Sequence, residues 1–585
     1  MGHLNNSKSK DMYQISNIYS RLLLIIVVIF FSCNEEVILK ETPLDFASSE
    51  TGFSTYEDFN IGVANLYNLS RTELAESESA IIDYQYGTDL GVPNEATNGP
   101  LFTNYLAYVT SSANFVLEHW SRYYKIISAA NLLINRLNFS EELTDDQKVD
   151  IQAKSRFFRG LAYKNLAHLY GGVPIELEEV SSPKTNYTRA SRDEVYMQAV
   201  ADLEFASENL QGIVDVDDWE VSNLAAYHLL AEAQIALENW DEAIQAASVV
   251  IDDPATSLMT ERFGTRSTEP GDVYWDLFRR GNQNRGSGNT EAIMVWQFEV
   301  DVLGGVLKSS SRTGPLFERH WAPLPGLMSI GLDGEQLFIW PASDYVGGRG
   351  IGQIKGSIHY LYEIWQADWF DMRNSGYNFP RDWVISNPAS QWYGDSLIAH
   401  HSEWWPPASV DTIRWLYPYP TKVTTPGNHP DGLYTNKELQ QLSGSAGTTY
   451  TDWYFIRLAE TYLLRAEAYL GNGDAANAVI DINTVRARAN ADPAIESEID
   501  IDYILDERLR ELGPEEPRRL TLNRLGMCYE RTMRYAFPTG YGNNQTFQVV
   551  GFNIQPYHDL LPIPFSEIQR NTGAVIQQNP GYSAE

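Results

Sequence analysis

Helical periodicity across the first half of the chain is the feature that most restricts its fold. Apolar residues recur at three- and four-residue spacing in residues 113–137, 146–170, 192–210 and 221–251, as they do on one face of an α-helix. Turn residues bound each segment. Gly171-Gly172-Val173-Pro174 closes the second sharply, because glycine tolerates the left-handed cap and proline cannot continue a helix. The pattern predicts a series of long packed helices.

A short helix–turn–helix pattern occurs twice, far apart in the chain. The first copy contains Ala231 and Ala233 followed by Ala243, and the second contains Ala466 and Ala468 followed by Ala478 at the same offset. Small alanines let helices pack closely, and the unit resembles a tetratricopeptide pair. Because 235 residues separate Ala231 from Ala466, the pairs cannot form an uninterrupted solenoid. They must assemble around a long insertion.

The insertion, residues 265–450, differs in character from the helical regions. Glycine and proline become dense, and 11 of the 15 tryptophans lie between Trp275 and Trp415. Loops this long in a compact protein are usually functional. We expect the insertion to be a loop-rich, aromatic ligand surface.

Cys33 follows a short apolar run near the start of the chain. Residues 22–31 are ten apolar residues closed by Ser32. About 20 are needed to cross a bilayer, so the run is typical of a signal-peptide core. The segment resembles a bacterial lipoprotein signal, which implies acyl chains on Cys33. The following residues 34–36 (Asn-Glu-Glu) resemble the signal that sends lipoproteins of Bacteroidetes-type bacteria to the outer cell surface. An uncleaved membrane anchor is the alternative.

These features predict a mainly α fold, in which tetratricopeptide-like helical pairs form a scaffold with a long loop-rich insertion in a single composite domain. The boundaries that we expect are residues 1–32 for the signal peptide, 33–45 for a flexible lipid-anchored leash, 46–264 for the N-terminal helical region, 265–450 for the insertion and 451–585 for the C-terminal helical region.

Charge and cysteine content exclude several classes of function. A net charge of -34 repels phosphate backbones and anionic headgroups, so nucleic-acid binding is not expected. Cys528 is the only cysteine after Cys33, which excludes a disulfide framework and a cysteine-based metal cluster. We expect Cys528 to be a small buried hydrophobic residue.

Three blocks resemble the SusD/RagB-type nutrient-binding lipoproteins. The first is residues 153–163 with 169–174, the second is residues 456–469 with 506–512 and 518–520, and the third is the tail, residues 561–582. The resemblance implies a protein without catalytic activity or cofactor that captures glycans or other oligomeric nutrients. It also implies three associations: with a SusC-like TonB-dependent transporter, with a carbohydrate ligand, and with the outer membrane through the lipid.

In proteins of this kind the ligand surface combines the loop after the first helix with the middle insertion. A sugar presents C–H faces and hydroxyls, so it needs exposed aromatic planes with amide, carboxylate or guanidinium partners. By resemblance, the first-loop candidates are Asp83, Tyr84, Tyr86, Asp89 and Asn94. The insertion contributes aromatic residues in turn-rich segments and one arginine in a glycine run, namely Trp321, Trp340, Tyr345, Arg349, Trp392, Tyr393, Trp404 and Trp405.

Other prominent residues have structural interpretations. Charged residues in the helical blocks are expected to form buried or half-buried ion pairs; they are Arg159, Glu467, Glu507, Arg508, Arg510 and Glu511. Trp365 and Trp369, four apart on one predicted helix face, are expected in the core. Alternation places Trp296 on the inner face of a strand. The 400–403 segment (His-His-Ser-Glu) hints at a metal but lacks a zinc spacing, so no metal site is predicted.

Two other functions stay open. An all-helical glycoside hydrolase or polysaccharide lyase would use two carboxylates across an aromatic cleft, but no spacing in the sequence pairs two of them. A tetratricopeptide scaffold would bind partners through concave helical faces, whereas this chain concentrates its aromatic residues in the insertion.

Overall fold

Helices dominate the computed structural model, which describes residues 53–76, 78–93, 104–310, 312–324, 334–339, 341–400, 417–536 and 553–583. Those before the insertion are α1 Tyr56–Arg71, α2 Glu78–Gln85, α3 Tyr105–Tyr108, α4 Asn114–Leu137, α5 Asp145–Tyr170, α6 Arg192–Asn209, α7 Asn223–Ala236 and α8 Trp240–Ile251. Short helices in the insertion are α9 Val273–Leu277, α10 Phe317–Trp321 and α11 Ile358–Leu361. The C-terminal helices are α12 Leu458–Gly471, α13 Ala475–Arg488, α14 Ile501–Glu511, α15 Arg518–Leu525, α16 Cys528–Arg531 and α17 Phe565–Arg570.

Short antiparallel strand pairs connect distant parts of the chain. The strands are β1 Gly91–Pro93, β2 Ala292–Trp296, β3 Ala342–Ser343, β4 Ile354–Gly356, β5 Tyr434–Asn436, β6 Gln441–Leu442 and β7 Trp453–Arg457. β1 pairs with β4, β2 with β7, and β6 lies between β3 and β5. The β2–β7 pair closes the base of the insertion, and the Trp453 ring stacks on Phe317 at 3.7 Å. Trp296 is buried as predicted.

The predicted helices α4 to α8 are confirmed to within about two residues at most of their ends. Thr144 caps α5 and Ser191 caps α6, each in a reciprocal capping box that satisfies N–H groups left free by the first turn. Gly171 ends α5 with a φ of +72°, a conformation that favours glycine. The 221–251 segment divides into α7 and α8 with a turn between them. The mainly helical prediction is confirmed.

The two alanine-rich helix pairs meet directly, although the insertion separates them in sequence. Ala243 of α8 packs with Leu464 and Ala468 of α12 in one buried cluster, and Trp240 packs against it. A Cβ on Gly471 would lie 2.6 Å from the Trp240 ring. The assembly of both pairs around the insertion is therefore confirmed.

Glu511 joins three parts of the chain through buried ion pairs. Its carboxylate contacts Arg457 of β7 at 2.5 Å, Arg373 of the insertion at 3.1 Å, and Arg488 of α13. Burial raises the pKa of Glu511, but the three guanidinium groups outweigh it and hold that pKa well below its ordinary value. We call these four residues the Glu511 cluster.

The other predicted ion pairs are also confirmed. Arg159 contacts Asp202 at 2.7 Å, Glu467 contacts Arg524 at 2.6 Å, Arg508 contacts Glu516 at 2.7 Å and Arg510 contacts Glu507 at 2.9 Å. These charges are satisfied within the protein, as a buried charge must be.

Among the residues that the structure describes, no helix is both long enough and apolar enough to cross a membrane.

We predict that Glu511→Gln lowers the free energy of unfolding by about 3–5 kcal/mol, because it removes the one carboxylate that the three buried arginines of the cluster share. Urea denaturation followed by circular dichroism measures the change. Glu567→Gln is the control, since Glu567 pairs with the exposed Arg570 and such pairs contribute less than about 1 kcal/mol. Equal losses in the two variants would contradict the central role of Glu511.

Candidate functional site

Asp89, a first-loop candidate, is held in the interior by two arginines. Arg518 and Arg531 contact its carboxylate at 2.7 and 2.8 Å, and the side chain is fully buried. Burial raises the pKa of Asp89, but the two guanidinium groups outweigh it and hold the pKa well below its ordinary value. These contacts fix the first loop to α15 and α16.

A second buried network surrounds Tyr84. Its hydroxyl donates to Glu73 at 2.5 Å, and His119 Nδ1 donates to the same carboxylate at 2.6 Å. His119 Nε2 lies 3.2 Å from Asp83. Burial lowers the pKa of His119, but Glu73 and Asp83 outweigh it and raise the pKa to about 9. A protonated imidazole between two carboxylates therefore joins α2 to α4.

Tyr86 and Trp321 stabilise the junction between the first loop and the insertion. The Tyr86 hydroxyl donates to the Gln353 carbonyl at 3.0 Å, and Arg519 donates to the Tyr86 carbonyl at 2.6 Å. Trp321 is fully buried, and its Nε1 donates to Gln85 Oε1 at 2.6 Å. Both aromatic rings belong to the core.

The geometry thus corrects part of the predicted ligand surface. Four of its members have buried side chains that contact other protein groups, which argues against the predicted ligand contact: Tyr84, Tyr86, Asp89 and Trp321. Asp83 is also buried, but it lines a cavity of about 480 Å³ together with Tyr108, Ser112 and Glu118.

An exposed aromatic surface does exist in the insertion. We call it the loop face and define it by Tyr345, Val384, Tyr393 and Ile398. Tyr393 is 56% exposed and Tyr345 39%, and the side chains of Val384 and Ile398 are also exposed. The Val384 N–H donates to the Tyr345 hydroxyl at 3.0 Å, which connects the two segments of the surface.

Backbone pairing holds the 382–400 segment of the loop face. Val384 and Ser396 form an antiparallel bridge, and the Leu397 N–H donates to the Trp383 carbonyl at 2.8 Å. Asp382 accepts a hydrogen bond from the Ser396 hydroxyl at 2.5 Å. The 382–400 segment is therefore a hairpin that is braced by hydrogen bonds.

A buried network supports the segment that carries Tyr345. His429 donates to Asp344 at 2.6 Å and to Glu318 at 2.8 Å, and Glu318 also accepts from the Arg349 N–H at 3.0 Å. Burial lowers the pKa of His429, but Glu318 and Asp344 outweigh it and raise the pKa to about 10. The histidine therefore bridges two carboxylates as a cation.

The glycine run at 347–350 fits closely over this network. Gly348 has a φ of +83°, and a Cβ there would lie 2.3 Å from Glu318 Oε1. Gly347 has a φ of +92°, and a Cβ there would lie 2.5 Å from the Tyr419 hydroxyl oxygen. Only glycine permits both the left-handed backbone and the close approach.

The remaining candidates are placed as follows. Trp392 is mostly buried beneath the loop face, with its ring 5.2 Å from that of His400. Arg349 is half-buried, and its guanidinium has no hydrogen-bond partner among the described residues. Four candidates lie outside the described residues: Asn94, Trp340, Trp404 and Trp405.

Trp369 corrects one sequence prediction. Trp365 is 1% exposed and lies in the core as expected, but Trp369 is 45% exposed, with the Arg381 guanidinium 4.7 Å from its ring centroid. The prediction of a shared buried face was wrong because α11 ends at Leu361, so the α-helical spacing does not extend to Trp369. Sequence reasoning therefore missed an exposed tryptophan.

Of residues 400–403, which hinted at a metal site in the sequence, the structure describes only His400. His400 Nε2 lies 2.9 Å from Asp395, while residues 401–403 lie outside the description. Among the residues described, no group of three or more histidine, cysteine, aspartate or glutamate side chains is arranged to hold a metal ion.

Two family models match the chain. One, described as the SusD family, matches residues 380–582, and the other, described as starch-binding associating with outer membrane, matches residues 53–235. A SusD-like protein of Formosa agariphila is 24% identical over 580 residues, covering 94% of this chain and 96% of that protein. The starch-binding protein SusD of Bacteroides thetaiotaomicron is 35% identical over 132 residues, covering 23% and 22% respectively.

Solved structures share the fold. A laminarin-binding SusD-like protein superposes with a TM-score of 0.62 at 21% identity, covering 91% of this chain and 100% of that one. A SusD homologue from Bacteroides thetaiotaomicron gives a TM-score of 0.65 at 18% identity, covering 91% and 98%.

We predict a pH-dependent stability set by His429. Because its folded pKa of about 10 lies above the ordinary 6.5, the folded state retains a proton that the unfolded chain releases. The contribution of His429 protonation to the free energy of unfolding is complete below pH 6.5 and is lost as the pH rises to about 10. Between pH 6 and about pH 10, the melting temperature measured by thermal unfolding should decline less in His429→Gln than in the wild type.

His558→Gln serves as the control, because burial lowers the pKa of His558 to about 4. That variant should keep the wild-type decline between pH 6.5 and about 10. An unchanged decline in His429→Gln would show that His429 is not protonated in the folded protein.

Proposed function

This chain belongs to the SusD/RagB family, and on that basis we propose that it is a cell-surface lipoprotein without catalytic activity. It binds oligosaccharides or polysaccharides and delivers them to a SusC-like TonB-dependent transporter of the outer membrane. The description of the family model that matches residues 53–235 supports both starch-type ligands and outer-membrane association. The laminarin-binding relative supports a glycan ligand.

The observation that carries the proposal is the loop face. Tyr393 exposes its ring on the braced 382–400 hairpin, and Tyr345 exposes its ring on the segment that His429 supports. Exposed rings of fixed geometry suit the C–H faces of sugars. Rigid platforms lose little conformational entropy on binding. The acidic net charge of -34 disfavours polyanionic ligands in general.

The absence of catalytic activity is also part of the proposal. The buried acids near the predicted first loop are held by basic groups: Asp89 by two arginines, and Glu73 and Asp83 by His119. Carboxylates bound in this way are poorly suited to act as a mobile acid and base across a sugar. Incubation with polysaccharides should therefore release neither new reducing ends nor unsaturated products.

We predict that Tyr393→Ala raises the dissociation constant for a bound glycan about tenfold, equivalent to about 1.4 kcal/mol, because it removes a stacking plane. Affinity electrophoresis with laminarin, starch and xyloglucan, followed by calorimetry on the best ligand, measures the effect. Phe139→Ala is the matched control, since Phe139 is 77% exposed but follows α4 and is not part of the loop face. Equal affinities for wild type and Tyr393→Ala would remove the loop face from the proposal.

We predict that Cys33→Ala keeps the fold but loses the lipid. Cys33 lies outside the described residues, and its role rests on the signal-like segment before it. Fractionation of cells that lack the transporter should find the wild type in the outer membrane and the variant in the soluble fraction. A variant that still fractionates with the outer membrane would contradict the lipid anchor.

A further inference from the structure

A second cavity lies far in the chain from the loop-face residues, between α1, the segment before α7, and β2. Its volume is about 350 Å³, within the range of small-molecule sites. It shares no lining residue with the loop face, with which the proposed function is concerned.

Aromatic rings form part of the cavity wall. Trp219 is 39% exposed, and Tyr67 meets it edge-on at 5.2 Å with an interplanar angle of 69°. The Tyr67 hydroxyl accepts a hydrogen bond from the Val221 N–H at 2.9 Å, which ties Tyr67 to the segment that carries Trp219. A large exposed tryptophan in a braced position is an available stacking plane.

Another part of the wall is a tight loop at residues 302–305. Arg71 donates to the Gly304 carbonyl at 2.8 Å, and the Gly305 N–H donates to the Val302 carbonyl at 2.9 Å. A Cβ on Gly305 would lie 1.9 Å from the Glu299 carbonyl oxygen, so the loop requires glycine there. Hydrogen bonds therefore hold both of these wall segments.

The polar groups of the cavity disfavour an anionic ligand. Arg71 is occupied by the carbonyls of Gln297 at 3.1 Å and Gly304 at 2.8 Å, so its guanidinium is not free to bind an anion. Glu299 is exposed and has no ion pair among the described residues, and its charge repels anions.

Unpaired hydrogen-bonding groups line the same space. Asn68 is exposed, and its side-chain amide has no partner in the described part of the chain. Trp296 is buried, and its indole N–H has no hydrogen-bond partner there either. Buried donors are rarely left without an acceptor. Carboxylate, amide and N–H groups beside an aromatic plane are the groups that bind sugar hydroxyls.

From these observations we propose that the cavity is a second saccharide site, which takes one neutral sugar ring on Trp219 with its hydroxyls on Glu299 and Asn68. This inference goes beyond the loop-face proposal, because it concerns a separate cavity. If the experiment overturns one of the two proposed sites, the other can still be tested by itself.

The test uses the full mature chain labelled with 5-fluorotryptophan, with the Trp219 resonance assigned from its loss in Trp219→Phe. The probes are the methyl glycosides of glucose, galactose, mannose and xylose, and of glucuronic acid as the anionic comparison. We expect at least one neutral glycoside to shift the Trp219 resonance saturably. Glu299→Gln and Asn68→Ala, both at exposed positions, should each weaken that binding roughly tenfold.

Tyr393→Ala is the matched control and should leave the Trp219 titration unchanged. The proposal is overturned if none of the neutral glycosides gives a saturable shift, if glucuronide binds as well as the neutral probes, or if Glu299→Gln and Asn68→Ala both bind with wild-type affinity. Loss of the shift in Tyr393→Ala would assign the ligand to the loop face instead.

Discussion

The rest of the structure depends on buried pairing between arginines and carboxylates. Glu511 of α14 is in contact with arginines from the insertion, from β7 and from α13, so one side chain fixes the relation of three segments. Desolvating these charges is costly, and replacing such a cluster with apolar residues is often neutral for stability. What the cluster provides is geometry, because a guanidinium accepts few positions against a carboxylate. The insertion can therefore be rich in loops and still be attached rigidly at its base.

The same principle explains why Asp89 of the first loop lies in the interior. Asp89 lies between Arg518 and Arg531, residues that follow it by more than 400 positions in the sequence. A polar loop with tyrosines and aspartates looks like a ligand surface when its partners are unknown. In the structure, Arg518 and Arg531 neutralise the Asp89 carboxylate. These ion pairs connect the loop after the N-terminal helix α2 to the C-terminal helices α15 and α16.

The sequence therefore predicts some features of this protein well and others poorly. Helices α4 to α8, the close packing of Ala243 with Ala468 of α12, and the ion pair of Glu507 with Arg510 follow from patterns that repeat every three or four residues. Exposure inside the insertion does not follow from such patterns. Trp365 and Trp369 have the spacing of one helix face, yet the helix ends before them and only Trp365 is buried. Trp321 precedes a proline in a turn-rich segment, yet long-range contacts with Gln85 place it in the core. Tyr345 and Tyr393 lie in turns that do reach the surface, and no local signal in the sequence distinguishes them from Trp321.

Rigidity beneath the exposed rings is the link between this fold and capture of a ligand. A loop that must order itself on binding spends part of its interaction energy on that ordering, whereas a braced platform does not. Here the segment of Tyr345 lies on a protonated His429 that bridges Glu318 and Asp344, and Gly348 brings the backbone against the same carboxylate. Buried charge thus performs the same task at the loop face as at the Glu511 cluster. A chain that has most of its tryptophans in a loop-rich insertion can present aromatic rings there in fixed positions only if its interior holds those loops, and in this protein paired charges do so.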